Sequence, residues 1–290
     1  MDRNPATPQG SAVPSAPSKG PETARVLSIA DLGAGYRLLR LEAPRAAAAA
    51  EPGQFVHVRV PALDASALRR PLSLCDADPA TGALTILFRT VGRGTEALAT
   101  VRPGDRVDLL GPLGRGFPLP PAGAAAALVA GGYGVAPLHF LARAIRARDA
   151  RADVRLFVGG RTAADLLLLD AFRALGVPAD PATNDGSLGA KGLVTAPLDA
   201  WLDARAADPA AAPAVLYACG PAPMLRAVDE RASARGLEAY LSLDRRMACG
   251  IGACLGCVQR VRDGRGGETL ARVCADGPVF PRGRIVWDER

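Results

Sequence analysis

The segment from residue 249 to 274 constrains this chain more than any other. It reads Cys249-x4-Cys254-x2-Cys257, followed after sixteen intervening residues by Cys274. That is the plant-type spacing for a [2Fe-2S] cluster, in which four thiolates converge on a two-iron rhomb. The chemistry wants small intervening residues, because backbone amides must fold over the sulfides. Here they are Gly250, Ile251, Gly252 and Ala253, then Leu255 and Gly256. Glycine permits positive φ and close approach, and N–H···S bonds from such a loop help set the potential. A structural zinc site is the rival reading, since it too takes four cysteines. Zinc ribbons more often show two CxxC pairs than a triplet with a distant fourth.

The remaining cysteines, Cys75 and Cys219, stand apart and are not offered as ligands. Residues 1–20 hold no apolar core of an export signal and read as a disordered Pro/Ser/Ala tail. Without export, disulfides are not expected, and clustered thiols point to metal or redox chemistry in a reducing cytoplasm. The 290 residues, 49% hydrophobic and 22% charged, suffice for two or three small domains and exclude a disordered scaffold. Net charge is +6, almost all of it guanidinium, since Lys19 and Lys191 are the only lysines. No Lys/Arg block or aromatic–basic alternation marks a nucleic-acid track. Gly116–Ala142 carries no formal charge and is long enough to span a bilayer. Its prolines and glycines fit a buried strand, turn and helix better.

Short alternating runs, 25–41, 54–60, 71–75 and 83–89, are separated by Gly/Pro/Asp punctuation and predict an antiparallel barrel. His57 lies in one of them and reads as a packed or surface histidine before a catalyst. From about Ala122 the pattern changes to strands at 124–130, 153–159 and 215–218, with helices at 138–148, 166–175 and 224–235. Strand–helix alternation means a doubly wound parallel sheet. The expected layout is a tail (1–20), a β-barrel (21–117), an α/β domain (118–241) and a small C-terminal cysteine module (242–290).

In the barrel, Arg70-Pro71-Leu72-Ser73 opens a strand and Gly94-Thr95 precedes a short helix at 96–99. A dinucleotide pyrophosphate needs a bidentate guanidinium and backbone amides at a helix start. Arg70 offers the first and Gly94/Thr95 the second. Ser73 offers a hydroxyl to a flavin ring nitrogen. Either motif alone is as well explained by a plain turn. In the α/β domain, Gly131-Gly132-Tyr133-Gly134 follows an apolar strand and opens a helix, where a phosphate can reach backbone. Cys219-Gly220-Pro221 follows another strand at the ligand-binding edge, although a small buried residue is the plainer reading of Cys219. Asp185 and Ser187 lie in a loop that an Asx-type turn explains equally well.

The ordered motifs RRPLSL, GRGT, GPLGRGF, GGYGVAPL, NDGSLGAKG, CGP, MACGIGACLGCV and RVCADGPVF resemble the dihydroorotate dehydrogenase B electron-transfer subunits of the ferredoxin–NADP reductase superfamily. The resemblance spans about residues 22–280, and its C-terminal cysteine segments are the most specific part. It implies FAD on Arg70–Ser73, on Leu87, Phe88 and Arg89, and on Gly94 and Thr95. It implies NAD as co-substrate, with Gly131, Gly132, Gly134, Cys219 and Gly220 as its contacts. The cluster would sit on Cys249, Cys254, Cys257 and Cys274. The implied partner is a dihydroorotate dehydrogenase catalytic subunit, two copies of each chain. No residue of this chain is singled out as catalytic. Leu72 departs from the superfamily, where many members carry a tyrosine stacked on the flavin. Tyr133 is bulky for a phosphate turn. Rivals with the same parts are flavin/iron–sulfur subunits of ferredoxin, sulfide or hydrogenase oxidoreductases and oxygenase reductases. A zinc-stabilised binding module is the rival outside enzymes. Arg161 leaves NADP open.

Overall fold

A computed structural model describes residues 20–60 and 68–287. The first part is a closed six-stranded barrel: β1 (Gly20–Gly33), β2 (Tyr36–Glu42), β3 (Phe55–Arg59), β4 (Arg70–Asp78), β5 (Ala83–Arg89) and β6 (Arg106–Leu113). Strand order around it is β1-β2-β5-β4-β3-β6, with every pairing antiparallel. Two one-to-two-turn helices, α1 (Pro44–Ala49) and α2 (Arg93–Leu98), fill connections. Alternation places Val56, Val58, Leu72, Leu74, Leu84 and Ile86 in the barrel's apolar core. The helix expected at 96–99 begins earlier, at Arg93, so Gly94 and Thr95 form its first turn instead of preceding it. Gly92 takes the N-cap position with extended backbone, which lets Thr95 Oγ1 donate to the Gly92 carbonyl.

The second part is the doubly wound sheet. Its strands are β7 (Ala125–Gly131), β8 (Val154–Gly160), β9 (Ala179–Thr183), β10 (Ala190–Lys191), β11 (Ala214–Cys219) and β12 (Glu238–Ser242). Helices α3 (Val135–Arg148), α4 (Leu169–Ala174), α5 (Thr195–Ala206) and α6 (Ala222–Ala234) connect them. The sheet order is β10-β9-β8-β7-β11-β12, all parallel, completed by an antiparallel edge strand from the C-terminal module. Residues 125–130 of β7 are buried on both faces, as a central parallel strand requires. The charge-free stretch 116–142 is therefore strand, turn and helix. No helix among the described residues is long and apolar enough to cross a membrane. The helix expected at 166–175 starts only at Leu169, because Leu168 takes a left-handed conformation (φ 61°). The helix expected at 224–235 is α6, two residues earlier at its start.

After the cysteine loop come a hairpin, β13 (Val258–Arg262) and β14 (Glu268–Arg272), a single turn α7 (Val273–Asp276), and β15 (Val279–Pro281). β15 pairs with β12, aligning Leu241 with Phe280. The module is thus fastened to the α/β sheet, and its apolar side joins that domain's core. Cys257, Val273, Cys274 and Phe280 share one apolar cluster with Val129, Leu216 and Phe55 of the barrel. The tail expected over 1–20 lies outside the described residues, apart from Gly20, which opens β1.

Candidate functional site

Two neighbouring arginines at the start of β4 take different work. Arg69 is committed to the barrel: its guanidinium grips the Asp108 carboxylate at 3.0 and 2.9 Å and donates to the His57 carbonyl at 3.3 Å. Arg70 instead lies across Gly94, where an added Cβ would sit 2.6 Å from the guanidinium carbon. The fold thereby brings together the two barrel motifs, a guanidinium and the first turn of α2. The amides of that first turn have no acceptor within their own helix. This cradle, closed by any side chain at position 94, suits a pyrophosphate. Ser73 stands opposite Phe55 in the β3–β4 pairing, half-buried. Leu72 and Phe88 turn their side chains into the barrel core, so what they present outward is backbone. Leu87 faces the α/β domain, and the Arg89 guanidinium lies 5.1 Å over the Tyr36 ring.

If Arg70 holds the FAD pyrophosphate, removing its guanidinium deletes charge-assisted hydrogen bonds each worth roughly 1.5–3 kcal/mol. Arg70→Leu is therefore expected to weaken FAD binding about 10- to 100-fold, read by titrating FAD into flavin-free protein. Unchanged affinity would remove Arg70 from the site.

Between barrel and α/β domain opens a cavity of about 640 Å³. Tyr36 and Arg89 line it from the barrel side, and the turns 131–134 and 219–221 from the other. All five residues expected to meet NAD (Gly131, Gly132, Gly134, Cys219 and Gly220) are in its wall. The two turns interlock through their glycines. A Cβ on Gly131 would lie 2.6 Å from the Pro221 ring, and one on Gly220 would lie 3.0 Å from Gly131 Cα. A Cβ on Gly134 would lie 2.9 Å from the Gly220 nitrogen and closer still to the Cys219 carbonyl. Gly132 adopts φ 53°, which suits glycine in this turn. Tyr133 also lines the cavity and donates to Asp244 Oδ2 at 2.9 Å. Burial pushes the Cys219 thiol up to about 12, so it stays protonated at neutral pH. Asn184 reaches the cavity, whereas Asp185 accepts from the Ser187 N–H and hydroxyl in a local Asx turn.

Sequence reasoning did not find Tyr36, Asp165 or Asp244 in this wall, and no local pattern marks them. Tyr36 donates to Asp165 Oδ1 at 3.0 Å across the domain boundary. Burial alone would raise the Asp165 carboxyl. Hydrogen bonds from Tyr36 and the Arg161 N–H, with the Arg161 guanidinium at 3.4 Å, outweigh it and hold the group below the ordinary carboxylate range. The folded value being the lower one, the stability this link contributes is complete above about pH 4 and is lost as pH falls through that depressed value. Asp165→Asn is expected to flatten the acid side of the unfolding profile, measured as urea midpoints from pH 7 down to pH 3. Parallel profiles for both proteins would contradict the assignment.

In the cysteine loop each of the four sulfurs accepts at least one backbone N–H. Gly252 donates to Cys274 at 3.1 Å, and Cys254 donates to Cys249 at 3.4 Å. Gly256 donates to Cys254 and Cys274 to Cys257, both at 3.4 Å. Positive φ at Gly250, Gly252 and Leu255 turns these amides inward. Burial raises the Cys249 thiol, but the amides of Ile251, Cys254 and Ala253 outweigh it and set the group below the usual thiol range. Cys274 is driven the other way by burial and the adjacent Cys257 sulfur. Arg272 braces this end, with its N–H and Nε on Asp276 Oδ2 at 2.8 and 3.0 Å. Among the described residues, no three His, Cys, Asp or Glu side chains are drawn together as for a single metal ion. Four thiols served by four inward amides suit an anionic iron–sulfur centre.

Comparison with known proteins agrees with this arrangement. Residues 23–117 match the oxidoreductase FAD-binding domain and residues 128–230 the oxidoreductase NAD-binding domain. Residues 244–286 match the iron–sulfur cluster binding domain of dihydroorotate dehydrogenase B. The electron transfer subunit of dihydroorotate dehydrogenase B (NAD(+)) from Bacillus caldolyticus is 48% identical over 239 residues, 81% of this chain and 87% of that one. The chain belongs to the dihydroorotate dehydrogenase B electron transfer subunit family. Its counterpart in Desulforamulus reducens is 38% identical over 265 residues, covering 91% of this chain and 98% of the relative. Among solved structures, a chain of the NADH-dependent reduced ferredoxin-NADP oxidoreductase superposes with TM-score 0.78 at 26% identity, covering 91% and 90% of the two chains. Membership makes this a flavin- and iron–sulfur-dependent NAD oxidoreductase subunit, with a catalytic subunit as its counterpart.

Proposed function

We propose that the chain delivers to NAD⁺ the electrons that a separate dihydroorotate-oxidising subunit withdraws from its substrate, in the cytoplasm and in an assembly of two copies of each chain. When bound, a flavin exchanges hydride with nicotinamide and single electrons with a [2Fe-2S] centre, which is why both are needed between the two substrates. Cys249, Cys254, Cys257 and Cys274 hold the cluster in this reading, and their four amide donors stabilise its negative charge. Arg70 and the first turn of α2 hold the FAD pyrophosphate. Ser73 and the outward backbone of 87–89 flank the ring system, with Pro71 and Leu72 as the strand beneath. The interlocked turns at Gly131–Gly134 and Cys219–Gly220 hold NAD, and the absence of side chains at their glycines lets the cofactor approach closely. Arg161, the candidate partner for a 2′-phosphate, is paired with Asp165, which supports NAD over NADP. Thiols that must stay reduced to bind iron support the cytoplasm.

The observation that carries this reading is the cysteine loop, where every sulfur already has its N–H donor. Around it Ile251, Leu255 and Leu270 are each more than half exposed, apolar surface that suits a partner subunit. The test is reconstitution. Dihydroorotate should reduce NAD⁺ only when this chain and a dihydroorotate-oxidising subunit are mixed, and the mixture should have the mass of two copies of each. Turnover of dihydroorotate by this chain alone would overturn the division of labour. Turnover only with ferredoxin would favour the reading that the solved ferredoxin-NADP oxidoreductase suggests.

A further inference from the structure

Strand β3 presents two faces. Val56 and Val58 enter the barrel core, while Phe55 packs in the cluster that contains Cys257 and Cys274. His57 shares the outward face with Phe55, its ring edge-on at 6.4 Å. It is wholly buried, and neither ring nitrogen makes a well-formed hydrogen bond among the described residues. Arg146 and Arg205 leave one nitrogen unpaired but bond through the others. His57 leaves both. Buried polar groups are nearly always paired, so an imidazole where a leucine would fit needs an explanation.

What the ring touches supplies one. A Cβ on Gly250 would lie 2.6 Å from Nδ1 and 3.0 Å from Cε1, so only glycine lets the loop backbone reach the imidazole. Gly250 follows Cys249 directly and holds φ 70°. The Cys249 backbone lies beside the ring as well. An imidazole carries at least one N–H donor in either protonation state. On the other side, His57 is paired in register with Pro71, inside the segment assigned to FAD. His57 is therefore where the strand beside the flavin segment meets the first cluster cysteine.

We propose that His57 is a positioning residue for the iron–sulfur centre: its ring N–H donates to the Cys249 end of the loop in the loaded protein, fixing that ligand against the flavin-bearing side of the barrel and tuning the cluster's reduction potential. The inference rests on the reading of Cys249 as a ligand. A donor beside the cluster favours the more negative reduced form, so its removal should lower the potential.

The test uses the full chain loaded anaerobically with iron, sulfide and FAD, as wild type, His57→Leu and His57→Gln. Leucine keeps the packing without a donor, and glutamine keeps an N–H at similar reach. EPR of the reduced cluster and a potentiometric titration are read on each. The expected result is altered g-values and a more negative potential for His57→Leu, with His57→Gln close to wild type. A His57→Leu protein with wild-type g-values and potential overturns the proposal, since packing alone would then explain the ring. Should His57→Leu lose its iron, His57→Gln decides: retained iron with near-wild-type g-values supports the proposal, and loss from both overturns it. A wild-type chain with no reduced-cluster signal would overturn the cluster reading itself, which separates the two failures.

Discussion

Serine at Cys257 is expected to leave a folded, flavin-containing chain with essentially no iron. Cys257 is 4% exposed, lies in the apolar cluster with Val273 and Cys274, and accepts the Cys274 N–H. A serine hydroxyl stays protonated at neutral pH and is a hard donor, so it does not replace a thiolate on iron. Iron should fall from about two atoms per chain to near zero, and the broad long-wavelength absorbance should vanish. With the partner subunit, dihydroorotate-dependent reduction of NAD⁺ should fall by more than about 100-fold, because the one-electron carrier is missing. Cys75→Ser is the control. That thiol is buried beside the α/β core, and its substitution should leave iron unchanged. A Cys257→Ser chain with full iron would refute the ligand assignment.

The second large effect is at the nucleotide end. Gly134→Val drives a branched side chain into the Cys219 carbonyl and the Gly220 nitrogen, where even a Cβ has no room. The two turns must separate, and with them the wall of the cavity. Misplacement by about 1 Å typically costs about 100-fold in a positioned reaction. NADH-driven reduction of the bound flavin should slow by that order, with FAD and iron contents normal, because neither the Arg70 cradle nor the cysteine loop touches position 134. Stopped-flow absorbance checks this directly. An unchanged rate would place the nicotinamide nucleotide elsewhere.

How much of this was legible in the sequence depends on how local each feature is. Strand β5 coincides with the run 83–89, because alternation over seven residues is a local signal. The barrel, the parallel sheet and the cysteine module follow from such runs and from spacing. Helix α5 escaped notice, since Leu198, Trp201 and Leu202 are a thin apolar stripe among Asp, Arg and Ala. The return of β15 to β12 was invisible for another reason: three residues pair with a strand about forty positions earlier. At the site, the two glycine turns and the cysteines are readable as motifs. Tyr36 with Asp165, and Tyr133 with Asp244, are separated by more than a hundred residues and meet only through the fold. His57 carried the expectation of a packed or surface histidine. Its burial fits the first, but contact with Gly250 depends on how the module wraps the barrel. Gly94 and Thr95 lie inside α2 because helix starts are set by backbone at Gly92, which sequence marks poorly.

The central claim is that one chain holds a flavin and an iron–sulfur centre and that both answer to NAD. An absorption spectrum of the chain purified anaerobically from cells supplied with iron, before and after NADH, tests it most directly. The account predicts flavin bands over a broad iron–sulfur background, both bleached by NADH. A colourless protein carrying zinc, or flavin bands that bleach with no iron present, would contradict it.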